Sequence, residues 1–285
     1  MFECSVENAR GESLTLTGRE DEYQVYKISG LSSPKAQINS STIANMDGAV
    51  YNSAKLNTRN IVLMIKINGD AEANRLRLYR YFVTKEKCRF YYKHDSLDVF
   101  IDGFVDTFEC NLFSKSEFAQ ISIVCLNPYF QSLQEILADA SQVFAQFEFP
   151  FSINLNEPVV ISDLMSGEAV RVNNPNGEQG AEIDIIFNQN ASKIVLDNTL
   201  TGDVMTLNYS FLTDDALVIR TYKGEKSITL IRNNTRTNLL SALAAGSRFI
   251  QLGLGYNSIV YTVDNSTVIG ALTVIVRFNP LHRGV

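Results

Sequence analysis

Apolar and polar residues alternate along several stretches of the first 130 residues, in the pattern of half-buried β-strands. Tyr23 to Ile28 alternates in this way, and Arg59 to Ile67 is a dense apolar run closed by Asn68-Gly69. Both stretches predict strands. Three more strands are predicted from composition and turn residues, at Cys88 to Lys93, Leu97 to Glu109 and Glu117 to Cys125.

A single amphipathic helix is predicted among these strands, over residues 71–86. Asp70 stands where an N-cap is needed, and Ala73, Leu76, Tyr79 and Val83 follow at helical spacing. We expect this stripe to be buried. A helix that covers one side of a sandwich or barrel of six or seven strands would achieve that.

The segment from Leu31 to Ser53 lacks a buried-strand pattern and suits an extended loop or a long hairpin. It is poor in charge and rich in Ser, Asn and Ala. Pairing it with another chain would therefore desolvate few charges. The candidate intersubunit residues are Leu31, Pro34, Ile38, Ile43, Met46, Gly48 and Tyr51. The alternative is a mobile surface loop.

The chain changes character between Pro128 and Pro150, where cysteine disappears and asparagine becomes abundant. Apolar residues recur at helical intervals from Ser132 to Gln146. The sequence therefore predicts a first domain over 1–132, a connecting helix or linker over 133–150, and a second domain over 151–285.

Short strands separated by turn residues fill the second domain and indicate an antiparallel β-sandwich. Asn238 to Ala244 predicts a short helical turn. The predicted strands are Val159 to Ile161, Glu168 to Val172, Glu182 to Phe187, Lys193 to Asp197, Asp203 to Asn208, Ala216 to Thr221, Ser227 to Ile231, Ser258 to Tyr261 and Thr273 to Phe278.

Charge and cysteine usage narrow the function. The 285-residue chain has a formal net charge of −6, and residues 133–285 hold 15 acidic against 10 basic residues. Neither half has the basic excess of a nucleic-acid-binding surface. We expect the four cysteines to be reduced and buried, and we expect neither a signal peptide nor a membrane-spanning helix.

The sequence offers little for catalysis. His94 and His282 lie in different predicted domains, and no metal-ligand spacing, GxSxG elbow or phosphate-binding glycine loop occurs. The acidic pair Asp214-Asp215 is interpreted as a solvated turn. We expect a non-enzymatic protein without cofactor or metal.

Short motifs in a fixed order resemble the distal tail protein family of phages with long non-contractile tails. The resemblance covers nearly the whole chain. It rests on Gly30-Leu31 with Pro34, Asp47-Gly48-Ala49, Arg59-Asn60-Ile61, residues 77–82, 102–105 and 125–130, and then on Val172-Asn173-Asn174, residues 198–202, 217–219 with Thr221, 238–240, 252–257 and Arg277-Phe278.

This resemblance implies a mainly β protein with two domains. The first would be a tail-tube-like β-sandwich or barrel with one packed helix, and it would assemble into a hexameric ring. The second would be a galectin-like antiparallel β-sandwich radiating outward. Such a ring joins the tail tube protein to the tail-associated hub protein in the virion, after assembly in the host cytoplasm. Receptor-binding or baseplate proteins dock on its periphery, and DNA crosses its lumen only in transit.

Two alternatives stay open at this point. The second domain could make the protein a host-glycan-binding adhesin, in which case Tyr209, Tyr222 and Tyr256 are the plausible sugar platforms. The absence of tryptophan favours protein docking instead. The chain could also be the equivalent baseplate component of a contractile tail or a phage-derived bacteriocin.

Overall fold

The computed structural model describes residues 2–18, 20–111, 116–139, 169–264 and 270–285. The chain forms two compact units, one of residues 1–134 with 281–285 and the other of residues 135–280. Each unit has its own hydrophobic core. Within the described residues, no helix has both the length and the apolar character needed to cross a membrane.

The first unit consists of strands and one helix. Its elements are β1 Phe2–Asn8, β2 Ser13–Thr15, β3 Tyr23–Ser29, β4 Ala36–Ser41, β5 Val50–Leu56, β6 Arg59–Ile67, α1 Ala71–Tyr81, β7 Lys87–His94, β8 Leu97–Cys110, β9 Glu117–Cys125, β10 Phe130–Ser132 and β21 Leu281–His282.

The strands pair in the order β2-β1-β7-β8-β9-β6-β3, all antiparallel. The long strand β8 serves two layers. Its first half pairs with β7 and β10, its second half pairs with β9, and the register shifts between Val105 and Thr107. A bulge of this kind bends a strand, so the sheet folds over on itself as a sandwich.

The alternation in β6 has the expected cause. Ile61, Leu63, Ile65 and Ile67 point into the core, while the residues between them are partly or fully exposed. The same period orders β9, whose Ile121 and Ile123 join that core. The strands predicted for this half are confirmed to within a few residues.

Helix α1 begins where predicted, because Asp70 accepts a hydrogen bond from the Ala73 amide at 3.1 Å. The predicted buried stripe is wrong, however. Leu78 and Phe82 are the buried residues at this site, whereas Leu76 and Tyr79 are exposed. The helix ends at Tyr81, five residues earlier than predicted, so Val83 lies beyond it.

The last residues of the chain return to the first unit. β21 pairs with β10, with Phe130 opposite His282 and Gln131 opposite Leu281, and the Val285 amide donates to the Leu31 carbonyl at 3.1 Å. Residues 135–280 are therefore inserted between two neighbouring strands, whereas the sequence alone assigned residues 281–285 to the second domain.

The second unit is an antiparallel sandwich of two sheets, in the orders β11-β20-β13-β16-β17-β18 and β12-β19-β14-β15. Its elements are β11 Ile136–Asp139, β12 Ala169–Asn174, β13 Glu182–Phe187, β14 Ala191–Asn198, β15 Asp203–Phe211, β16 Ala216–Arg220, β17 Ser227–Arg232, β18 Thr235–Asn238, a 3₁₀ turn at Leu240–Ala242, β19 Gly255–Val263 and β20 Leu272–Phe278.

The mainly β class and the antiparallel sheets are confirmed, and so is the helical turn near residue 240. The galectin-like character implied by the family resemblance stays a prediction. The connecting helix is wrong where it is described, because Ile136–Asp139 is a strand paired with β20. Residues 140–150 of that predicted helix or linker and the predicted strand Val159 to Ile161 lie outside the described residues.

The inserted arrangement makes a testable prediction. Replacing residues 135–280 by a short Gly-Ser linker should leave a folded first unit, because its flanking strands β10 and β21 are already paired. Circular dichroism should show a β-rich spectrum with a cooperative thermal transition. A variant truncated after residue 134, which also loses residues 281–285, is the control and should be less stable. An unfolded linker variant would contradict the prediction.

Candidate oligomerisation and docking surfaces

Strands β4 and β5 form a separate two-stranded sheet, which we term the β-arm (residues 36–56). Every residue of the β-arm except the half-buried Leu56 is exposed. The long hairpin predicted for this segment is therefore confirmed. An isolated two-stranded hairpin is marginal in water, so a β-arm of this kind is expected to gain stability from a partner.

The pairing of its strands gives the β-arm two chemically different faces. Ala36 lies opposite Leu56, Ile38 opposite Ala54, and Ser40 opposite Tyr51 after a register shift. Since side chains alternate between faces, these residues form a mainly apolar face. The other face is mainly polar, formed by Gln37 with Lys55 and Asn39 with Ser53, with Val50 opposite Ser41 at its far end. Asn39 donates to the Ser53 hydroxyl at 3.0 Å.

The tip of the β-arm adds further apolar surface. Ile43 and Met46 are exposed there, and the Met46 amide donates to the Ile43 carbonyl at 3.3 Å. Gly48 adopts a positive φ of 91° in the same loop. Together with Ile38 and Tyr51, which are 67% and 64% exposed, these side chains form a surface typical of protein contacts.

Arg59 fixes the root of the β-arm. The side chain is 3% exposed and donates to the carbonyls of Pro128 at 2.8 Å, Ser32 at 2.7 Å and Arg283 at 2.6 Å, and also to that of Gly30. The guanidinium also lies 4.6 Å from the ring centre of Phe130. Burial lowers the pKa of Arg59, as expected for a cation withdrawn from water.

Gly30, one of the four residues whose carbonyls accept from Arg59, cannot be replaced by a residue with a side chain. Gly30 has φ of +87°, and a Cβ there would lie 2.1 Å from the Asn60 carbonyl oxygen. The chain therefore passes directly against β6 before the β-arm leaves the unit. Two of the predicted intersubunit residues, Leu31 and Pro34, lie in this root and are half-buried, unlike those of the strands and tip.

The exposed face of α1 is a second unpartnered surface, termed the helix stripe (Ala73, Leu76 and Tyr79). Leu76 is 58% exposed, and the ring of Tyr79 lies 4.5 Å from that of Phe108 between centres. The sequence assigned this stripe to the core. A second apolar pair at i, i+4 spacing, Leu78 and Phe82, lies on another face of the helix, and this is the pair that is buried.

The arginines beside the helix stripe already have partners in the same unit. Arg75 contacts Glu117 at 2.9 Å, Arg77 contacts Glu22 at 3.2 Å, and Arg80 pairs with Glu12. The hydrogen bond from Arg80 is the main reason that the pKa of Glu12 is lowered. The charges around the stripe are thus neutralised locally.

A third surface lies at one end of the second unit, where loops are held by buried asparagines. Asn198 donates to the Gln251 carbonyl at 2.7 Å and to the Asn257 side-chain oxygen at 3.0 Å. Asn257 in turn donates to the carbonyls of Gly253 and Gly255, both at 2.9 Å. These amides satisfy backbone groups that have no strand partner there.

The loops held by these asparagines present Leu200, Leu254 and Tyr256 to solvent, a group we term the loop tip. Tyr256 is 78% exposed and Leu254 is 67% exposed. A Cβ on Gly253 would lie 3.1 Å from the Leu200 side chain, which places the two loops side by side. Large apolar side chains on a rigid backbone are suited to protein contacts.

The three tyrosines predicted as sugar platforms do not come together. Tyr209 and Tyr256 lie toward opposite ends of the same sheet, since Asn198 pairs with Ile259 and Lys193 with Asn208. Tyr222 lies in the bend that follows β16 of the other sheet, and its hydroxyl donates to the Arg277 carbonyl at 3.4 Å. Burial raises the pKa of Tyr222 to about 12. The three tyrosines therefore do not form one shared platform, and each of them as a separate sugar platform stays a prediction.

The acidic pair at the β15–β16 turn is not a solvated loop. Asp215 is buried and accepts from Arg232 at 2.8 and 2.5 Å and from the Leu212 amide at 2.8 Å. The hydrogen bond from Arg232 lowers the pKa of Asp215. Only Asp214 of the pair is exposed.

The thiols and imidazoles are not assembled into a reactive centre. The four cysteines are free, and burial raises the pKa of Cys4, Cys88 and Cys125 to about 12, which keeps these thiols protonated. His94 contacts Asp95 at 3.0 Å on an exposed turn. Burial lowers the pKa of His282.

Comparison with known proteins points to phage tails. Residues 176–278 match the family described as "Siphovirus-type tail component, C-terminal domain". No curated protein matches the chain in sequence.

Two solved structures are similar in fold over nearly the whole chain. One is the Dit protein of phage SPP1, described as a hub of the adsorption apparatus in phages that infect Gram-positive bacteria. It has 14% sequence identity and a TM-score of 0.69 over 99% of both chains. The other belongs to the baseplate of phage P2 in its activated conformation with Ca. It has 11% identity and a TM-score of 0.52, over 97% of this chain and 98% of that one.

The hydrogen bonds of Arg59 at the root of the β-arm predict a large loss of stability when this residue is replaced. Arg59→Met should leave four carbonyls without their donor and destabilise the first unit by about 3 kcal/mol or more. Hydrogen exchange with mass spectrometry, which resolves the two units, should show faster exchange near residues 30–32 and 281–285. Arg10→Met, at an exposed arginine, is the control and should change stability by less than about 0.5 kcal/mol.

The Asp215–Arg232 pair predicts a pH-dependent loss. Because the folded pKa of Asp215 is lowered, its contribution is fully present above the unfolded value of about 4 and disappears as the pH falls through the folded pKa. Asp215→Asn should therefore cost the second unit about 2–3 kcal/mol at pH 7, and the difference from wild type should shrink below about pH 4. Asp214→Asn is the matched control. An equal cost at every pH would contradict this.

Proposed function

Because residues 176–278 carry the C-terminal domain of the siphovirus-type tail components and the chain has the fold of the phage distal tail proteins, we propose that it is a ring-forming connector of a phage tail tip. In this proposal six copies, the number implied by the family resemblance, surround the tail axis. The ring joins the tail tube protein to the tail-associated hub protein, without any enzymatic role.

The β-arm is the observation that carries the proposal. It is an exposed hairpin with one apolar face, fixed at its root by a buried arginine and placed to reach outside its own unit. A cyclic assembly needs two unlike surfaces on each copy, so that each contact is head to tail and the rotation closes. An arm on one side of the subunit supplies one of these surfaces.

The charge of the first unit is compatible with a lumen through which DNA passes. Residues 1–132 hold 15 basic and 16 acidic residues, so a continuous cationic lining is not expected. Cationic linings bind phosphate and would slow the passage of DNA.

The second unit supports a docking role in the virion. The loop tip offers Leu200, Leu254 and Tyr256 on a backbone that the asparagines hold in place, and we assign it to the attachment of receptor-binding or baseplate proteins. The separation of the three candidate tyrosines disfavours the glycan-binding alternative. The siphovirus-type family match favours a non-contractile tail over a contractile one.

Removing the β-arm tests the proposal. Ala36 and Leu56 lie opposite each other, so residues 37–55 can be replaced by an Asn-Gly turn without disturbing the root. The variant should remain folded but sediment as a single copy, whereas the wild type forms rings visible by negative-stain microscopy. Light scattering gives the mass of each.

Point variants provide the matched comparison. Ile38→Asp with Tyr51→Asp places charge on the apolar face and should abolish rings, while Gln37→Asp with Asn39→Asp alters only the polar face and should retain them. A wild type that stays single-copy at high concentration would overturn the ring proposal. Rings of unchanged mass without the β-arm would overturn its role.

A further inference from the structure

The β-arm and the helix stripe lie at opposite ends of β6. The root contact is at Arg59, the first residue of this strand, and α1 begins four residues after Ile67, the last. Other contacts agree with this placement, because Tyr23, which pairs with Ile67, donates to the Asn74 carbonyl of the helix at 3.1 Å. A strand of nine residues separates its ends by about 26 Å.

Neither surface covers the other within one copy. The apolar strand face of the β-arm lies next to its root, as Leu56 is three residues from Arg59, and its side chains are exposed. The helix stripe is exposed as well. Among its exposed apolar side chains, each copy therefore offers these two surfaces of different shape, one a flat hairpin face and the other a helical ridge.

We propose that the apolar face of the β-arm docks on the helix stripe of the next copy. This inference rests on the proposed function and adds the identity of the receiving surface. The occupant of the stripe is thus a second copy of this chain. Ile38, Tyr51 and Ala54 supply the hairpin side of the contact, and Leu76 and Tyr79 supply the helix side.

The charges of the two surfaces are compatible with this contact. The arginines of α1 keep their glutamate partners in their own copy, so docking does not bury an unpaired charge. The helix carries three arginines against the single acid Glu72, while the tip of the β-arm carries Asp47.

The arrangement also explains why the contact propagates around an axis. A copy that has one surface occupied still offers the other, so the chain of contacts continues until the ring closes. Two copies alone leave one β-arm and one helix stripe free.

The first test changes the receiving surface alone. Leu76→Asp, at a side chain 58% exposed, should leave the thermal transition of the full chain unchanged and weaken self-association by at least about tenfold. Leu240→Asp makes the same exchange at a side chain 46% exposed in the second unit, outside the loop tip, and should retain the wild-type mass. Light scattering over a concentration series measures both.

The second test mixes two incomplete copies. The variant that lacks residues 37–55 keeps the helix stripe, and Leu76→Asp keeps the β-arm. Each alone should be a single copy, and the mixture should form a 1:1 pair and nothing larger, because only one contact can be made. Native mass spectrometry of the mixture reads this directly.

The outcomes separate this inference from the proposed function. Rings of wild-type mass formed by Leu76→Asp would overturn the inference and leave the ring proposal standing, with the β-arm docked on another partner such as the tube protein. A mixture without a 1:1 pair would also overturn the inference. A wild type that forms no ring would overturn the proposed function itself.

Discussion

The buried guanidinium of Arg59 is the contact on which the first unit depends. It gathers main-chain carbonyls from the end of β3, from the segment before β10 and from the last residues of the chain. These segments are irregular, so their carbonyls have no ladder to join. One planar side chain with five donors can serve all four carbonyls at once, whereas the ammonium of lysine has only three donors.

The second unit solves a similar problem with neutral groups. Its irregular loops near residues 249–257 are held by Asn174, Asn198 and Asn257, whose amides are buried and hydrogen-bonded to one another or to backbone carbonyls. Amides both donate and accept, so the network can be satisfied without a buried charge. In both units, polar residues in the core hold irregular segments that reach the surface.

Much of the fold was predictable because strands with one buried face leave a clear period of two in the sequence. Arg59–Ile67 and Glu117–Cys125 are found as predicted, and the charge-poor segment 31–53 was recognised as an extended loop or a long hairpin from its lack of such a period. The buried face of α1 was not predicted correctly, because Leu76 and Tyr79 form an apolar stripe much like that of Leu78 and Phe82. Intrinsic hydrophobicity does not distinguish a core position from an exposed one.

The helix predicted after Ser132 was wrong for a related reason, since the four residues of β11 fit a helical and a strand spacing equally well. The burial of Asp215 was not predicted, because it depends on an ion pair with Arg232, which is 17 residues away in the sequence.

The paired strands β10 and β21 have a mechanical consequence. The chain crosses between the units twice, at residues 134–135 and 280–281. A pull applied to the second unit is therefore shared by two covalent tethers. One tether is anchored through β8, and the other through β10 and the carbonyl of Arg283 on the buried guanidinium. Tension that would strip a single terminal strand from its sheet is divided here, so traction on the second unit is resisted by the nine-stranded sheet of the first.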